Sequence, residues 1–386
     1  MKLKNQKILK ITESYFPNDV RVFKEAMAYT EAGASVSVIA MNDGNQKPVE
    51  NISNITVYRL PISMKKGNWF GYIYEYILFF LYSFFYVFKL SLKTKFDIVH
   101  VHTIPDYLVF ASLPAKLRGA KVILDLAELM PEFYKFKFKV GTKNIIVRIS
   151  KFFEYISMHY ATHCITINHR IKDILVNRTG IEDLTIIMNT IEPSKLKLYD
   201  REPDKTKFTM IYHGHINAAY DFRACLEAVN LIKNDIPNFL FNIYGDGPFL
   251  PEIEIMVREL NIEKHVKFYG WVDRETVYKA IVDSDIGIIP AKIEEYLNLS
   301  FSNKLGDFVA LGVPIISPKL ESYIDYFPLD SLAYIEEMNA KYLYDMVVQL
   351  NNDRARLNQL VEISTKHYSK INWTVMKERL ISLAAR

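Results

Sequence analysis

The segment Ser300–Pro318 (SFSNKLGDFVALGVPIISP) brings together residues able to hold a phosphate and a sugar hydroxyl. Ser302 or Asn303 can cap a helix, which leaves backbone N–H groups free at its start, with Lys304 beside them. N–H groups and an ammonium together make an anion site. Asp307 follows Asn303 by four residues, one turn along the same face, where a carboxylate could accept hydrogen bonds from ribose hydroxyls. The same spacing is also that of a capped helix whose lysine and aspartate are only solvated.

Other candidates carry less. Asp283-Ser284-Asp285 fits a D-x-D metal pattern, but it ends a helix and enters a strand, which favours a structural role. His100 and His102 share one face of a strand at the spacing of a metal pair, with no third ligand evident nearby. A place lining a cleft at the strand's carboxyl end is the preferred reading, and no metal is expected. Gly245-Asp246-Gly247-Pro248 is too short for a dinucleotide fingerprint and reads as a tight turn, with or without a ligand against its backbone. Asp19 can cap the helix after the first strand, and Arg21 in its first turn opposes the helix dipole at a cost of roughly some tenths of a kcal/mol. A charge so placed points to phosphate binding on an acceptor or donor, the alternative being an ordinary surface arginine. No G-x-S-x-G elbow supports a hydrolase. Cys164 and Cys225 fit no metal spacing and suit a reducing, cytosolic compartment.

The elements that must position these residues alternate. Apolar strand-sized runs at 8–12, 36–40, 55–59, 98–102, 122–126, 164–167 and 185–188 are separated by helix-compatible segments such as Val20–Thr30. Alternation of this kind implies a parallel sheet covered on both faces. A charged stretch, Tyr199–Lys207, interrupts the pattern as a linker would, and the alternation restarts with strands predicted at 208–213, 239–244, 266–269, 286–290 and 314–317. Residues 341–368 and 374–385 read as helices without strands. With 386 residues, half of them hydrophobic, the chain holds two domains of ordinary size, which excludes disorder, collagen and a disulfide scaffold.

Five stretches resemble the retaining family-4 glycosyltransferases of the GT-B fold, of bacterial surface-polysaccharide type. They are YFPNDVRVFKEA (Tyr15–Ala26), FDIVHVHTIPDYL (Phe96–Leu108), VILDLAELMPE (Val122–Glu132), IYGDGP (Ile243–Pro248) and SNKLGDFVALGVPII (Ser302–Ile316). They come in family order over nearly the whole chain, and the last two, with DSDIGIIP (Asp283–Pro290), are the most specific. The resemblance implies two Rossmann-like, doubly wound domains facing a central cleft: an acceptor-side domain over 1–200 and a nucleotide-sugar domain over 207–368. The last helix, 373–386, is expected to pack back on the first domain.

The activity implied is metal-independent transfer of a hexose, retaining in the family's sense, from a nucleotide diphosphate sugar to a glycan or lipid-linked acceptor, with no cofactor. Residue by residue, the donor would meet Gly214, His215, Gly245, Asp246, Ser302, Asn303, Lys304 and Asp307. Asp307, Lys304 and Glu128 would carry the chemistry, and Asp19, Arg21, His102 and Asp106 would face the acceptor. Paired family glutamates correspond to Leu299 and Asp307; an arginine and lysine that grip the diphosphate correspond to His215 and Tyr220; a sugar-facing histidine corresponds to Ala127, with Glu128 following. These departures support a rival reading, a non-catalytic relative acting as a binding or scaffold subunit. A sugar-nucleotide epimerase of the same fold is weaker, because SNKLGDF follows the transferase pattern.

Charge and hydropathy locate a second surface. Residues 1–200 hold 27 Lys/Arg against 18 Asp/Glu and residues 201–386 hold 21 against 26, so only the first half is suited to an anionic surface or substrate. No basic stretch has the form of a nucleic-acid module. Trp69–Phe88 carries twelve aromatics and one charge, Glu75, and is long enough to span a bilayer. A crossing would put strands of one sheet on opposite sides of the membrane. The segment 69–95 therefore reads as a membrane-surface helix flanked by Lys65, Lys66, Lys89, Lys93 and Lys95, with a core helix as the alternative. The expected location is cytoplasmic, peripheral on the cytoplasmic face of the membrane.

Overall fold

Strand runs with no polar alternation must be covered on both faces, and the computed structural model, which describes residues 2–63, 69–193 and 206–386, shows them so. The chain divides into two compact units, Met1–Asn189 with Val375–Arg386, and Thr190–Thr374. All of the predicted linker but Thr206 and Lys207 lies outside the described residues, as do Lys65 and Lys66.

The first unit is built on β1 (Lys7–Tyr15), β2 (Ser35–Met41), β3 (Val49–Ile52), β4 (Ile55–Leu60), β5 (Ile98–His102), β6 (Lys121–Leu126), β7 (His163–Thr166) and β8 (Leu184–Ile186). Their order in the sheet is β3-β4-β2-β1-β5-β6-β7-β8, parallel throughout except that β3 runs antiparallel to β4. The β3 strand was not predicted: VENI is short, sits at an edge and is half exposed, so it lacks an apolar run. Residues 375–386 join this unit; Met376 and Leu380 are fully buried and Lys377 pairs with Glu31.

The second unit holds β9 (Phe208–His213), β10 (Phe239–Tyr244), β11 (Val266–Gly270), β12 (Ile286–Ile288), β13 (Ile315–Pro318) and β14 (Ala333–Ile335), ordered β11-β10-β9-β12-β13-β14 and all parallel. Phe208, Met210, Tyr212, Phe239 and Phe241 pack with Leu226 and Val229 of the Phe222–Asp235 helix to make its core. The helix predicted over 341–368 is two, Ala340–Asn352 and Arg354–Tyr368. Asp353 leaves helical geometry (φ −120°, ψ 78°) and its carboxylate caps the second at the Arg356 N–H. In each sheet the first strand lies between strands reached by crossovers in opposite directions. The carboxyl ends of β1 and β5, and of β9 and β12, are thus the places where such sheets bind ligands.

The Trp69–Lys93 helix is turned inside out. Among its described side chains the buried ones are Glu75, Phe79, Ser83, Val87 and Ser91, a stripe at intervals of four. Tyr74, Ile77, Leu81, Tyr82, Phe85, Phe88 and Leu92 are exposed instead. The flanking strands β4 and β5 belong to one sheet, so the helix does not cross a bilayer. The Ile145–Tyr160 helix repeats the pattern in part, burying Ser150, Glu154 and Ser157 with Val147 and Met158 while exposing Ile145, Ile149, Phe152 and Tyr155.

Candidate active site

The β9 strand delivers His213 and Gly214 to its carboxyl end. Gly214 takes φ +113°, and a Cβ there would lie 2.7 Å from Lys304 Cε, so the lysine side chain lies across glycine backbone. Ser302 is the cap of the Asn303–Ala310 helix; its Oγ accepts from the Lys304 N–H at 3.3 Å, which fixes where that side chain leaves. Lys304 Nζ donates to the Tyr220 hydroxyl at 3.0 Å and stands 4.6 Å and 5.4 Å from the Tyr220 and Tyr212 ring centres. Among the described residues no carboxylate pairs with it. The half-buried ammonium, met among the described residues by a phenol and two ring faces, stands open to an anion. Asn303 is exposed beside it.

His213 Nε2 is buried without a hydrogen-bond partner, 3.7 Å from Asp307 Oδ2. Burial and then the nearby Lys304 charge push its pKa down to about 3, so the ring is neutral at physiological pH. Asp307 is turned inward more than expected: its side chain is 15% exposed, and Oδ1 accepts from the Tyr278 hydroxyl at 3.0 Å. The sequence named Gly214 and His215 but missed His213, although the last residue of a central strand is a ligand position by topology. His215 is exposed, and its carbonyl accepts from Tyr212 Oη at 2.7 Å.

Gly245 requires a correction. Its φ is +141° and a Cβ would fall 1.9 Å from the Gly214 carbonyl oxygen; one on Gly247 would fall 2.0 Å from that of Ile216. Gly214 N–H donates to Tyr244 O at 2.8 Å and Ile216 N–H to Asp246 O at 2.9 Å. The backbone that these glycines admit is therefore the chain's own loop, and they shape the site through Gly214. Asp246 is exposed and accepts from the Gly247 N–H at 2.7 Å.

In the first unit Arg21, expected to bind a phosphate, is 7% exposed and spent inside. Its Nε and Nη2 each donate to Asp125 at 2.8 Å and its Nη1 to Ile187 O at 2.8 Å. Lys10, fully buried, donates to Glu25 at 2.7 Å. Asp125 is what makes a cation tolerable in the first turn of that helix. His102, expected at the acceptor, is also buried here: Nδ1 lies 3.1 Å from Asp125 and Nε2 3.4 Å from Glu25. Glu25 and Asp125 thus join the two histidines, with one ligand atom of each within 4.8 Å of the others, company that sequence spacing did not reveal. Both carboxylates already face a buried cation. Burial opposes their charge, yet Lys10 and Arg21 hold Glu25 down to about 2, and Arg21 holds Asp125 well below the carboxylate range. Burial and Lys10 keep His100 neutral, its pKa about 3.

The other acceptor-side candidates differ in the same way. Asp19 is the helix cap, accepting from the N–H groups of Arg21 and Val22. Asp106 is fully buried with neither carboxylate oxygen hydrogen-bonded, and burial ahead of Glu154 and Glu132 raises its pKa well above the usual range. It faces no acceptor as an anion. Glu128, after β6, is exposed. Asp285 of the D-x-D sequence accepts from Thr209 N–H at 2.7 Å and from Arg354 at 2.6 Å, which ties β12 to β9.

Residues 18–160 match a family described as glycosyl transferase 4-like, and residues 207–350 match glycosyl transferases group 1. Between them the two matches take in most of both units. The chain is a glycosyltransferase with a GT-B fold. A lipopolysaccharide 1,6-galactosyltransferase of Escherichia coli strain K12 is 23% identical to this glycosyltransferase over 298 residues, 72% of this chain and 78% of that one. Sucrose-phosphate synthase from Thermosynechococcus elongatus superposes with a TM-score of 0.73 at 15% identity, covering 98% of both chains. HepE of Anabaena, solved with UDP and glucose, gives 0.72 at 12% identity, covering 98% of this chain and 99% of that one. The scaffold reading rested on four departures, and one of them has a physical role in this glycosyltransferase: Tyr220, standing where a lysine is common, orients Lys304.

Proposed function

We propose that this glycosyltransferase moves a hexose, with retention of anomeric configuration, from a nucleoside diphosphate sugar to a lipid-linked glycan acceptor at the cytoplasmic face of a membrane. The observation that carries the donor half is Lys304. Its ammonium crosses Gly214 at the carboxyl end of β9 and pairs with no carboxylate among the described residues. As the sugar–phosphate bond breaks, negative charge collects on the leaving diphosphate, and Lys304 with the N–H groups of the Asn303–Ala310 helix meets it in place. Asp307 is the ribose partner in this reading, and neutral His213 beside it can donate or accept one hydrogen bond without adding charge. With no nucleophile evident on the donor-side segment, the acceptor hydroxyl attacks from the face the diphosphate leaves, which gives retention. No metal or cofactor takes part in this scheme.

Support for the membrane half comes from the two inverted helices. Phe85 and Phe88 are 65% and 51% exposed and Phe152 is 60% exposed, with Lys89, Lys93, Arg148 and Lys151 exposed around them. Apolar rings with flanking cations suit an anionic interface, each cation contributing about 1 kcal/mol near the surface. Two readouts test the proposal. Labelled sugar should pass from one member of a nucleotide-sugar panel into a lipid-extractable product, with nuclear magnetic resonance showing the donor's anomeric configuration. Flotation with anionic vesicles should recover the protein, and Phe85→Ser with Phe88→Ser should release it with its circular dichroism unchanged. No turnover of any nucleotide sugar, or no flotation at low salt, contradicts the corresponding half.

A further inference from the structure

A cavity of about 450 Å³ lies within the first unit, enclosed by the helices Trp69–Lys93, Asp106–Ser112, Met130–Phe138 and Ile145–Tyr160. That is the size of a ligand pocket, and far above the voids that packed interiors leave. Its walls are almost wholly hydrocarbon and aromatic, Phe80, Tyr107, Tyr134 and Phe153 among them. A half-open apolar pocket leaves its hydrocarbon lining against water, and an apolar occupant would remove that contact.

Two features say what the occupant is. Ile77 and Ile149 both line the cavity, and they are 49% and 48% exposed, so its mouth opens on the outward apolar faces of the two inverted helices. Its inner end is formed by segments that follow the carboxyl ends of β5 and β6, through Tyr107, Met130 and Tyr134. Behind them Asp106 has no hydrogen-bond partner, and burial, then Glu75, raises the Glu13 pKa to about 9. The described lining of the cavity itself carries no charged side chain. An uncharged chain entering from the membrane side and ending at the sheet's ligand edge fits both ends.

We infer that this cavity takes the hydrocarbon chain of the lipid-linked acceptor, holding the acceptor by its tail while its head lies at the carboxyl edge of the first sheet. The inference rests on the membrane half of the proposed function. An acyl chain of bulk lipid has the same chemistry at the mouth, but its head would stay at the interface and it has no reason to reach that edge.

The test uses the full chain with decyl phosphate carrying a terminal diazirine, irradiated in the presence of phosphatidylcholine vesicles. Mass spectrometry should find the label within 76–80, 107–110 and 149–153. Unlabelled decyl phosphate should compete and butyl phosphate should not. Ile149→Trp or Ile77→Trp, at half-exposed positions that need not disturb the fold, should cut labelling at least tenfold with circular dichroism unchanged. Label confined to outward residues such as Phe85 and Phe152, undiminished labelling in both tryptophan variants, or equal competition by a short-chain phosphatidylcholine would overturn the inference. A protein that floats and turns over a nucleotide sugar but is not labelled in the cavity rejects the pocket and leaves the proposed function standing. One labelled in the cavity that turns over no nucleotide sugar supports the pocket and rejects the donor half.

Discussion

Arg21→Met should destabilise the first unit severely while leaving anion binding untouched. The substitution removes two charge-assisted bonds to Asp125 and one to the Ile187 carbonyl, all at 2.8 Å; among the described residues it leaves buried Glu25 with Lys10 and buried Asp125 with no lysine or arginine partner. Stripping one partner from a buried pair costs about 3–5 kcal/mol, because the remaining charge stays desolvated. With a urea m-value of about 2 kcal/mol/M, the midpoint of the first unit's transition should fall by about 2 M, and the second unit's should not move. The deficit also depends on pH. In the wild type the Asp125 pKa is depressed against the cost of burial, so its contribution is present above pH ~4 and lost as pH falls through the folded value. Without Arg21, burial raises that pKa, and stability falls as pH rises. The gap between the two proteins therefore widens from acid to neutral pH. Arg21→Lys, which keeps charge but loses the fork, should fall between them. Unchanged midpoints combined with lost affinity for a nucleoside diphosphate would refute the structural role and restore Arg21 as a ligand residue.

Gly245→Ala forces a Cβ to within 1.9 Å of the Gly214 carbonyl at a φ of +141°, and strain plus overpacking should cost the second unit about 2–5 kcal/mol in urea melts. Glu13 binds a proton more tightly folded than unfolded, its pKa raised to about 9 by burial and by Glu75. Stability should therefore decline between pH ~4.5 and 9 by up to ~1.4 kcal/mol per unit, and Glu13→Gln should flatten that slope. Phe79→Ser, inside the buried stripe of the Trp69–Lys93 helix, should destabilise the unit by about 3–5 kcal/mol where the outward Phe85→Ser does not.

What could be read in the residues was whatever depends on local period. The apolar runs at 98–102, 208–213 and 239–244 coincide with β5, β9 and β10, because a strand buried on both faces shows itself by composition alone. The Arg274–Val282 helix and the Ser302 cap follow from turn and capping chemistry in the same way. Contacts distant in sequence were not legible. Arg21 looks like a misplaced surface cation until Asp125, 104 residues away, is brought to it. Gly245 looks open to a ligand until the loop after β9 is found against it. The aromatic helix was legible as unusual, but only the packed structure shows that Glu75, Ser83 and Ser91 face inward beside Phe79 while Tyr74, Tyr82, Phe85 and Phe88 face outward. His213 was missed because a histidine closing a buried strand has the pattern of any core residue.

In the proposed function the donor's diphosphate is met by Lys304 at the end of β9. Calorimetric titration of the 386-residue chain with UDP, GDP and ADP, and with the corresponding nucleosides, tests it directly. Loss of a charge-assisted bond costs roughly 1.5–3 kcal/mol, or about one to two decades in affinity. Lys304→Ala should therefore weaken the preferred diphosphate by that factor and leave its nucleoside unchanged. Equal losses for nucleoside and diphosphate, or none for either, would contradict the account and place the donor elsewhere on the chain.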